Sequence, residues 1–328
     1  MTVVVTGADG FIGSHLVDAL VRGGVDVRAL VQYTSVGSWG WLDDLDRDVL
    51  GAVDVRAGDL RDAAGVERLL AGAEVVYHLG ALIAVPYSFE APRSYVETNV
   101  LGTQNVLDAA RRHTTRVVHT STSEVYGTAV TVPITEDHRL HAQSPYAATK
   151  IAADKLVEAY VAAYGLHAVT LRPFNTFGPR QSARAFVPTV MAQALAGRTT
   201  IELGSLTPRR DMTFVSDTVA AFRAVGALTD DRWRGVTLNA GSGTSWSMRA
   251  LVEEIARVVG VELEAVVQPA RVRPVHAEVH HLEADSTRLR AATGWAPAVG
   301  LADGLAATRD WMSQPRHGAL YRPDVYQV

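Results

Sequence analysis

A run of β-branched residues, Thr2-Val3-Val4-Val5-Thr6, passes directly into Gly7-Ala8-Asp9-Gly10-Phe11-Ile12-Gly13, and this junction restricts the fold more than any other stretch of the chain. The run predicts a buried strand. Ile12, Leu16, Ala19 and Leu20 recur at helical spacing and predict a helix that Gly23-Gly24 ends. Glycines between a strand and a helix let main chain approach a ligand closely, and the first helical turn offers unpaired N–H groups to a diphosphate. Gly7, Gly10, Phe11, Ile12 and Gly13 are therefore candidate dinucleotide-binding positions, at Gly-x-x-Gly-x-x-Gly spacing rather than the commoner Gly-x-Gly-x-x-Gly.

Further strands are expected at Val25–Val31, at a stretch ending Gly58-Asp59-Leu60, at Glu74–Ala81, at Arg116–Ser121 and at His167–Leu171. A loop is expected over Leu82–Glu90, and helices near Pro92–Arg112 and over Ser144–Tyr164. An acidic residue at the end of the second strand would grip the ribose 2′-hydroxyl of NAD. Val31 stands there, followed by Gln32 and no arginine, which leaves the choice between NAD and NADP open. His78 reads as a core residue. Asn239-Ala240-Gly241-Ser242-Gly243 reads as a strand-turn-helix connection with a serine cap rather than a second dinucleotide site.

The 328 residues can bury a full core, and the absence of cysteine excludes disulfides and thiolate chemistry. Lys and Arg total 31 against 35 Asp and Glu, with no basic run, which points to neither a nucleic-acid nor a membrane partner. The opening strand leaves no room for a signal peptide and no apolar stretch reaches about 18 residues, so a cytoplasmic protein is expected. His276, His280 and His281 do not suggest a metal: adjacent strand residues point to opposite sides, and no acidic set accompanies them.

The chemistry gathers between His119-Thr120-Ser121-Thr122-Ser123-Glu124-Val125-Tyr126-Gly127 and Tyr146-Ala147-Ala148-Thr149-Lys150. Tyr146 and Lys150 share one helical face. The ammonium can sit beside the phenol and favour phenolate over a reference pKa of about 10, which makes Tyr146 a candidate base near neutral pH.

These segments, with the glycine turn, His78-Leu79-Gly80-Ala81, Asn99-x-x-Gly102-Thr103, Arg172-Pro173-Phe174-Asn175-Thr176-Phe177-Gly178-Pro179, Arg209-Arg210-Asp211-Met212-Thr213-Phe214-Val215 and Arg273-Pro274 with Glu278-Val279, resemble the extended short-chain dehydrogenase/reductases that act on nucleotide sugars. The resemblance implies an α/β fold: a Rossmann-type doubly wound parallel sheet with a smaller C-terminal substrate-binding α/β domain. Residues 1–173 and 213–246 would form the first, 174–212 and 247–314 the second, and 315–328 a tail. It implies NAD as cofactor, held by the glycine turn, Asp59, Leu60, Leu79, Ala81, Tyr146 and Lys150, with Asn99 supporting the site. A nucleotide-sugar substrate would meet Val85, Asn175, Arg184, Val187, Arg210 and Arg273. A homodimer through the helices at 92–112 and 144–164 is expected on the same ground.

The family oxidises a sugar C4 hydroxyl, and the ketone acidifies the C5 proton. In relatives that only epimerise C4, the position of Glu124 usually holds a small residue. Thr122-Ser123-Glu124 instead resembles the 4,6-dehydratases. There Tyr146 would take the C4 hydroxyl proton, Thr122 would hydrogen-bond the C4 oxygen, Glu124 would remove the C5 proton and act as acid for the water leaving C6, and Ser123 would orient the C6 hydroxyl. The same triplet occurs in UDP-glucuronate decarboxylases, for which Arg184 is a candidate cation. Gly37-Ser38-Trp39-Gly40-Trp41-Leu42-Asp43, Ala84-Val85-Pro86-Tyr87-Ser88-Phe89 and Pro179-Arg180-Gln181-Ser182-Ala183-Arg184 further resemble the dehydratases of legionaminic-type sugar pathways, which act on nucleotide-linked N-acetylglucosamine. A 4-epimerase, and a non-catalytic NAD(P)-sensing regulator, are the other readings this scaffold allows.

Overall fold

Val3 and Val5 face one side of the first strand and Val4 the other, and all three are fully buried, so that strand must lie inside a sheet covered on both faces. The computed structural model, which describes residues 1–272 and 275–323, shows this arrangement. Its strands are β1 (Thr2–Thr6), β2 (Asp26–Gln32), β3 (Val53–Gly58), β4 (Val75–His78), β5 (Arg116–Thr120), β6 (Ala168–Pro173), β7 (Asn175–Phe177), β8 (Thr200–Leu203), β9 (Arg209–Phe214), β10 (Thr237–Ala240), β11 (Ser245–Ser247) and β12 (Glu264–Val267). A seven-stranded parallel sheet runs β10-β6-β5-β4-β1-β2-β3.

The helices Phe11–Arg22 and Val215–Gly226 cover one face through Leu16, Val17, Leu20, Val219, Phe222 and Val225. Helices Ala63–Leu70, Gly102–His113 and Pro145–Tyr164 cover the other through Leu70, Leu107, Ala110 and Val157. Strand order reverses between β1 and β4, which opens a crevice at their C-terminal ends. The glycine turn, Leu79, Thr122 and Asn175 all follow strands that end at or beside that crevice.

The rest of the chain builds a smaller layer. A three-stranded sheet, β11-β9-β7, and the parallel pair β8 and β12 pack with helices Phe186–Leu195, Met248–Val259 and Leu301–Met312 around Met191, Ile201, Leu203, Ile255 and Leu305. Leu289 and Trp295 return to the large sheet's core, where the Trp295 indole donates to Asp217 O at 2.9 Å.

Several elements differ from the sequence expectations. β4 ends at His78, because the next residues leave the sheet to cross Gly7. The expected loop 82–90 contains a short helix, Val85–Glu90, with Val85 and Ser88 turned inward. The single helix expected over 92–112 is broken by a π-helical turn at Val96–Leu101, whose extra residue turns Asn99 into the interior. Ser247, after the additional strand β11, caps the helix Met248–Val259 by accepting from Ala250 N. Among the described residues no helix is long and apolar enough to cross a membrane.

Candidate active site

Gly7 adopts φ +65°, and a Cβ there would meet Gly80 at 2.8 Å; a Cβ on Gly13 would come within 2.1 Å of Gly7 O. Only glycine permits this turn. Gly10 caps the following helix without a side chain and no acidic residue lies in its first turn, so its N–H groups face the crevice without a competing carboxylate. A dinucleotide diphosphate fits this cradle. Asp9 accepts from Gln32 N at 3.1 Å and ties the turn to the end of β2.

Behind the turn a neutral chain of hydrogen bonds holds the ends of β1 and β4. Thr103 donates to Asn99 O at 2.7 Å, so its oxygen accepts from His78 Nε2 at 3.0 Å; His78 Nδ1 then accepts from the Thr6 hydroxyl at 2.8 Å, whose oxygen accepts from Gly80 N at 3.0 Å. Burial holds His78 well below the usual histidine range, and it stays neutral. Asn99 clamps Leu82 N and O at 2.8 and 2.9 Å and donates to Thr149 Oγ1 at 3.1 Å. Its amide is thus committed to the protein, where it fixes the loop against the Tyr146 helix. Leu79 and Ala81 line that loop, half-buried, while Leu60 is packed in the core. Both Asp59 oxygens are engaged by Arg61, and the cap of the next helix is Asp62.

Ser144 accepts from Ala147 N at 3.1 Å and, with Pro145, starts the helix that carries Tyr146 and Lys150. Thr122 Oγ1 accepts from Glu124 N at 3.2 Å and starts the turn after β5. Lys150 donates to Thr120 O at 2.5 Å. Burial pushes the Tyr146 phenol well above its ordinary range; a hydrogen bond with Thr122 opposes this, and the nearby Glu124 charge adds to it. In this arrangement the Lys150 ammonium is engaged by Thr120 O at the end of β5. Burial lowers Lys150 itself to about 8, with Asp154 opposing the fall.

On the substrate side, Val85 packs with Leu82, Tyr95 and Tyr146. Asn175 opens β7 with its Oδ1 buried and without a partner, an acceptor available to a ligand. Arg210 is buried and donates to Arg209 O at 3.0 Å and to Glu278 Oε1 at 3.4 Å. Arg184 is exposed, yet its charge acts on Tyr95, whose ring meets Tyr146 edge-on at 6.3 Å. Val187 is buried in the core of the smaller layer, in the cluster that contains Ile201, Leu203 and Leu251. Arg273 lies outside the described residues. Tyr95 was not legible from spacing, since the π-helical turn after it alters the helical phase.

The family model described as GDP-mannose 4,6 dehydratase matches residues 4–308. The chain belongs to this family. It is 36% identical to a UDP-glucose 4-epimerase of Mycolicibacterium smegmatis (94% of this chain, 97% of that protein) and 35% identical to a dTDP-glucose 4,6-dehydratase of Streptomyces griseus (98% and 96%). The structure of a double mutant of the dTDP-glucose 4,6-dehydratase DesIV from Streptomyces venezuelae, with NAD and DAU bound, superposes with a TM-score of 0.84 at 29% identity, covering 96% of this chain and 98% of that one. The family is one of NAD-dependent nucleotide-sugar dehydratases, so the protein is an enzyme and the regulator reading falls away. Epimerase and dehydratase relatives match almost equally, so overall identity does not choose between them; the residues around Tyr146 must.

Proposed function

We propose that this enzyme is a nucleotide-sugar 4,6-dehydratase acting on UDP-N-acetylglucosamine or a closely related nucleotide hexose. The observation that carries the reading is Glu124, held beside Tyr146 by the turn that Thr122 starts. Inverting C4 requires no proton transfer at C5, whereas eliminating water requires a base there and an acid at the leaving hydroxyl. A carboxylate in this place has a task only in the second case. NAD, when bound, would supply the hydride acceptor for C4 and the hydride donor for C6. Tyr146 exchanges the C4 hydroxyl proton, Thr122 holds the C4 oxygen, Lys150 orients and charges the site, and Ser123 with Glu124 serves C5 and C6. The glycine turn and the Leu79–Ala81 loop bind the dinucleotide; Asn175, Arg210 and, by resemblance, Arg273 bind the sugar diphosphate.

Incubation with UDP-N-acetylglucosamine and NAD in deuterated water, followed by mass spectrometry, tests this. Loss of one water with one deuterium at C5 is expected; an unchanged mass without exchange would point to epimerisation. Glu124→Gln should stop water loss while C4 oxidation persists, and Tyr146→Phe should lower both by about 10³-fold. Arg184, placed near Tyr95 and Tyr146, favours a second reading in which UDP-glucuronate loses carbon dioxide, and the same experiment with that sugar would reveal it.

We take residues 1–173 and 213–246 as the cofactor-binding part, joined by 287–295, and 174–212 and 247–286 with 296–314 as the sugar-nucleotide part. Val96 and Leu101 beside the Tyr146 helix, and Tyr164 at its end, are 46%, 47% and 57% exposed, a distribution that supports a homodimer through these helices.

A further inference from the structure

The Tyr146 helix carries a third inward-facing polar residue that the reaction as written does not use. Asp154 lies one turn beyond Lys150 and two beyond Tyr146, on the same face, and is 2% exposed. An isolated carboxylate at that depth would take up a proton. Here burial is outweighed. His119 Nε2 lies 3.2 Å from Oδ1, Ser121 donates to Oδ2 at 2.9 Å, and Arg172 donates to Oδ2 through Nε at 3.2 Å and a terminal nitrogen at 2.8 Å. Together they hold the carboxyl below its ordinary range. The other terminal nitrogen of Arg172 donates to the Tyr126 hydroxyl at 2.9 Å, which donates to Asn239 Oδ1 at 2.7 Å.

Each partner adjoins a part of the site. Ser121 immediately precedes Thr122-Ser123-Glu124, and Arg172 lies three residues before Asn175. The helix therefore grips the end of β5 at two successive residues, through Lys150 on Thr120 and Asp154 on Ser121. The charges around Lys150 are unevenly placed. His78 from β4 and His119 from β5 both feel its charge and are kept neutral by burial, and Arg172 from β6 is taken up by Asp154. Asp154 is the group that supports the ammonium against desolvation.

We propose that Asp154 is a positioning residue, whose carboxylate locks both the end of β5 and the strand leading to Asn175 onto the Tyr146 helix and supplies the negative charge that keeps Lys150 protonated. The role rests on the reading of Tyr146 and Lys150 as the reacting pair, but its test needs no turnover. The chain has two lysines, Lys150 and the surface residue Lys155. Protein labelled with [ε-¹³C]lysine gives two carbon signals, which Lys155→Arg assigns.

The Lys150 signal should titrate at about 8 in the unaltered protein. In Asp154→Asn its midpoint should fall by about one pH unit or more, and Asp154→Glu should restore it. The alkaline limb of sugar oxidation should move with the midpoint. An Asp154→Asn protein with an unmoved Lys150 midpoint, however unstable or slow, would overturn the proposal. Should that variant fail to fold because Arg172 loses its partner, Asp154→Asn is made in an Arg172→Gln background and its Lys150 midpoint is compared with that of Arg172→Gln alone, with the same fall as the criterion. If the unaltered enzyme leaves UDP-sugars unchanged, the proposed reaction fails while the midpoint still decides the role of Asp154.

Discussion

The glycine turn at the end of β1 and the cradle around Asp211, beside the proposed sugar-diphosphate residue Arg210, are built by different physics. The turn is local: seven consecutive residues place main-chain N–H groups at a helix start, and no cation is needed. The cradle is assembled from distant segments. Asp211 Oδ1 accepts from Ser242 N and Oγ at 2.8 and 2.6 Å, and Oδ2 from Gly243 N and Ala284 N at 2.9 and 3.0 Å, which ties β9 to the 242–243 turn and to Ala284. A local device can be read from a short motif and is broken by sterics, whereas a distributed one depends on a buried carboxylate and is broken by losing its acceptor.

Three experiments separate the two regions. Asp211→Ala removes the acceptor of the buried Ala284 N and of the part-buried Ser242 and Gly243 donors and should cost about 3 kcal/mol, seen as a lower urea midpoint. A midpoint shift below about 1 kcal/mol would mean that the cradle does not depend on this carboxylate. Gly13→Ala forces a Cβ to within 2.1 Å of Gly7 O and should weaken NAD about 100-fold, equivalent to about 2.7 kcal/mol, with sugar-nucleotide binding retained. Titration of cofactor fluorescence quenching reads the first quantity and calorimetry with a nucleoside diphosphate the second; loss of both together would erase the distinction between the regions.

Acid supplies the third. Burial, with the Arg180 charge nearby, lowers His15 from 6.5 to about 4, and His78 and His119 are lowered by burial in the same sense. Below the unfolded value the unfolded chain binds protons that these native histidines refuse, so stability is full above pH 6.5 and declines as the pH falls toward the native value. For His15 the loss between pH 7 and pH 5 is about 2 kcal/mol. His276 and His280 on the substrate side are exposed. Hydrogen exchange at pH 5 should therefore lose protection first around β1, β4 and β5; uniform loss across both regions would contradict the assignment.

The same contrast explains what could be read beforehand. β1, its glycines and the helix after it were legible because each signal is contiguous: a β-branched run buried on both faces, and backbone conformations that only glycine accepts. The pairing of Tyr146 with Lys150 was legible in the same way, from helical spacing. The spacing also contained Asp154, four residues further on, but nothing local distinguished that aspartate from a solvated one. Its meaning came from His119, Ser121 and Arg172, which two neighbouring strands bring to it. Asn99 was legible as a motif residue, yet its inward turn came with the π-helical turn, which lets its amide bond Leu82 and Thr149.

Sequence alone determined the elements whose energetics are local: strand propensity, the glycine turn, helix caps such as Ser144, and the order of the motifs that place the chain in its family. Tertiary structure alone decided the electrostatics and the joins. The upward push on the Tyr146 phenol, the target of the Lys150 ammonium, the placement of Tyr95 and the four-donor grip on Asp211 all arise from removing polar groups from water, and desolvation depends on what lies around a residue rather than on its neighbours in the chain.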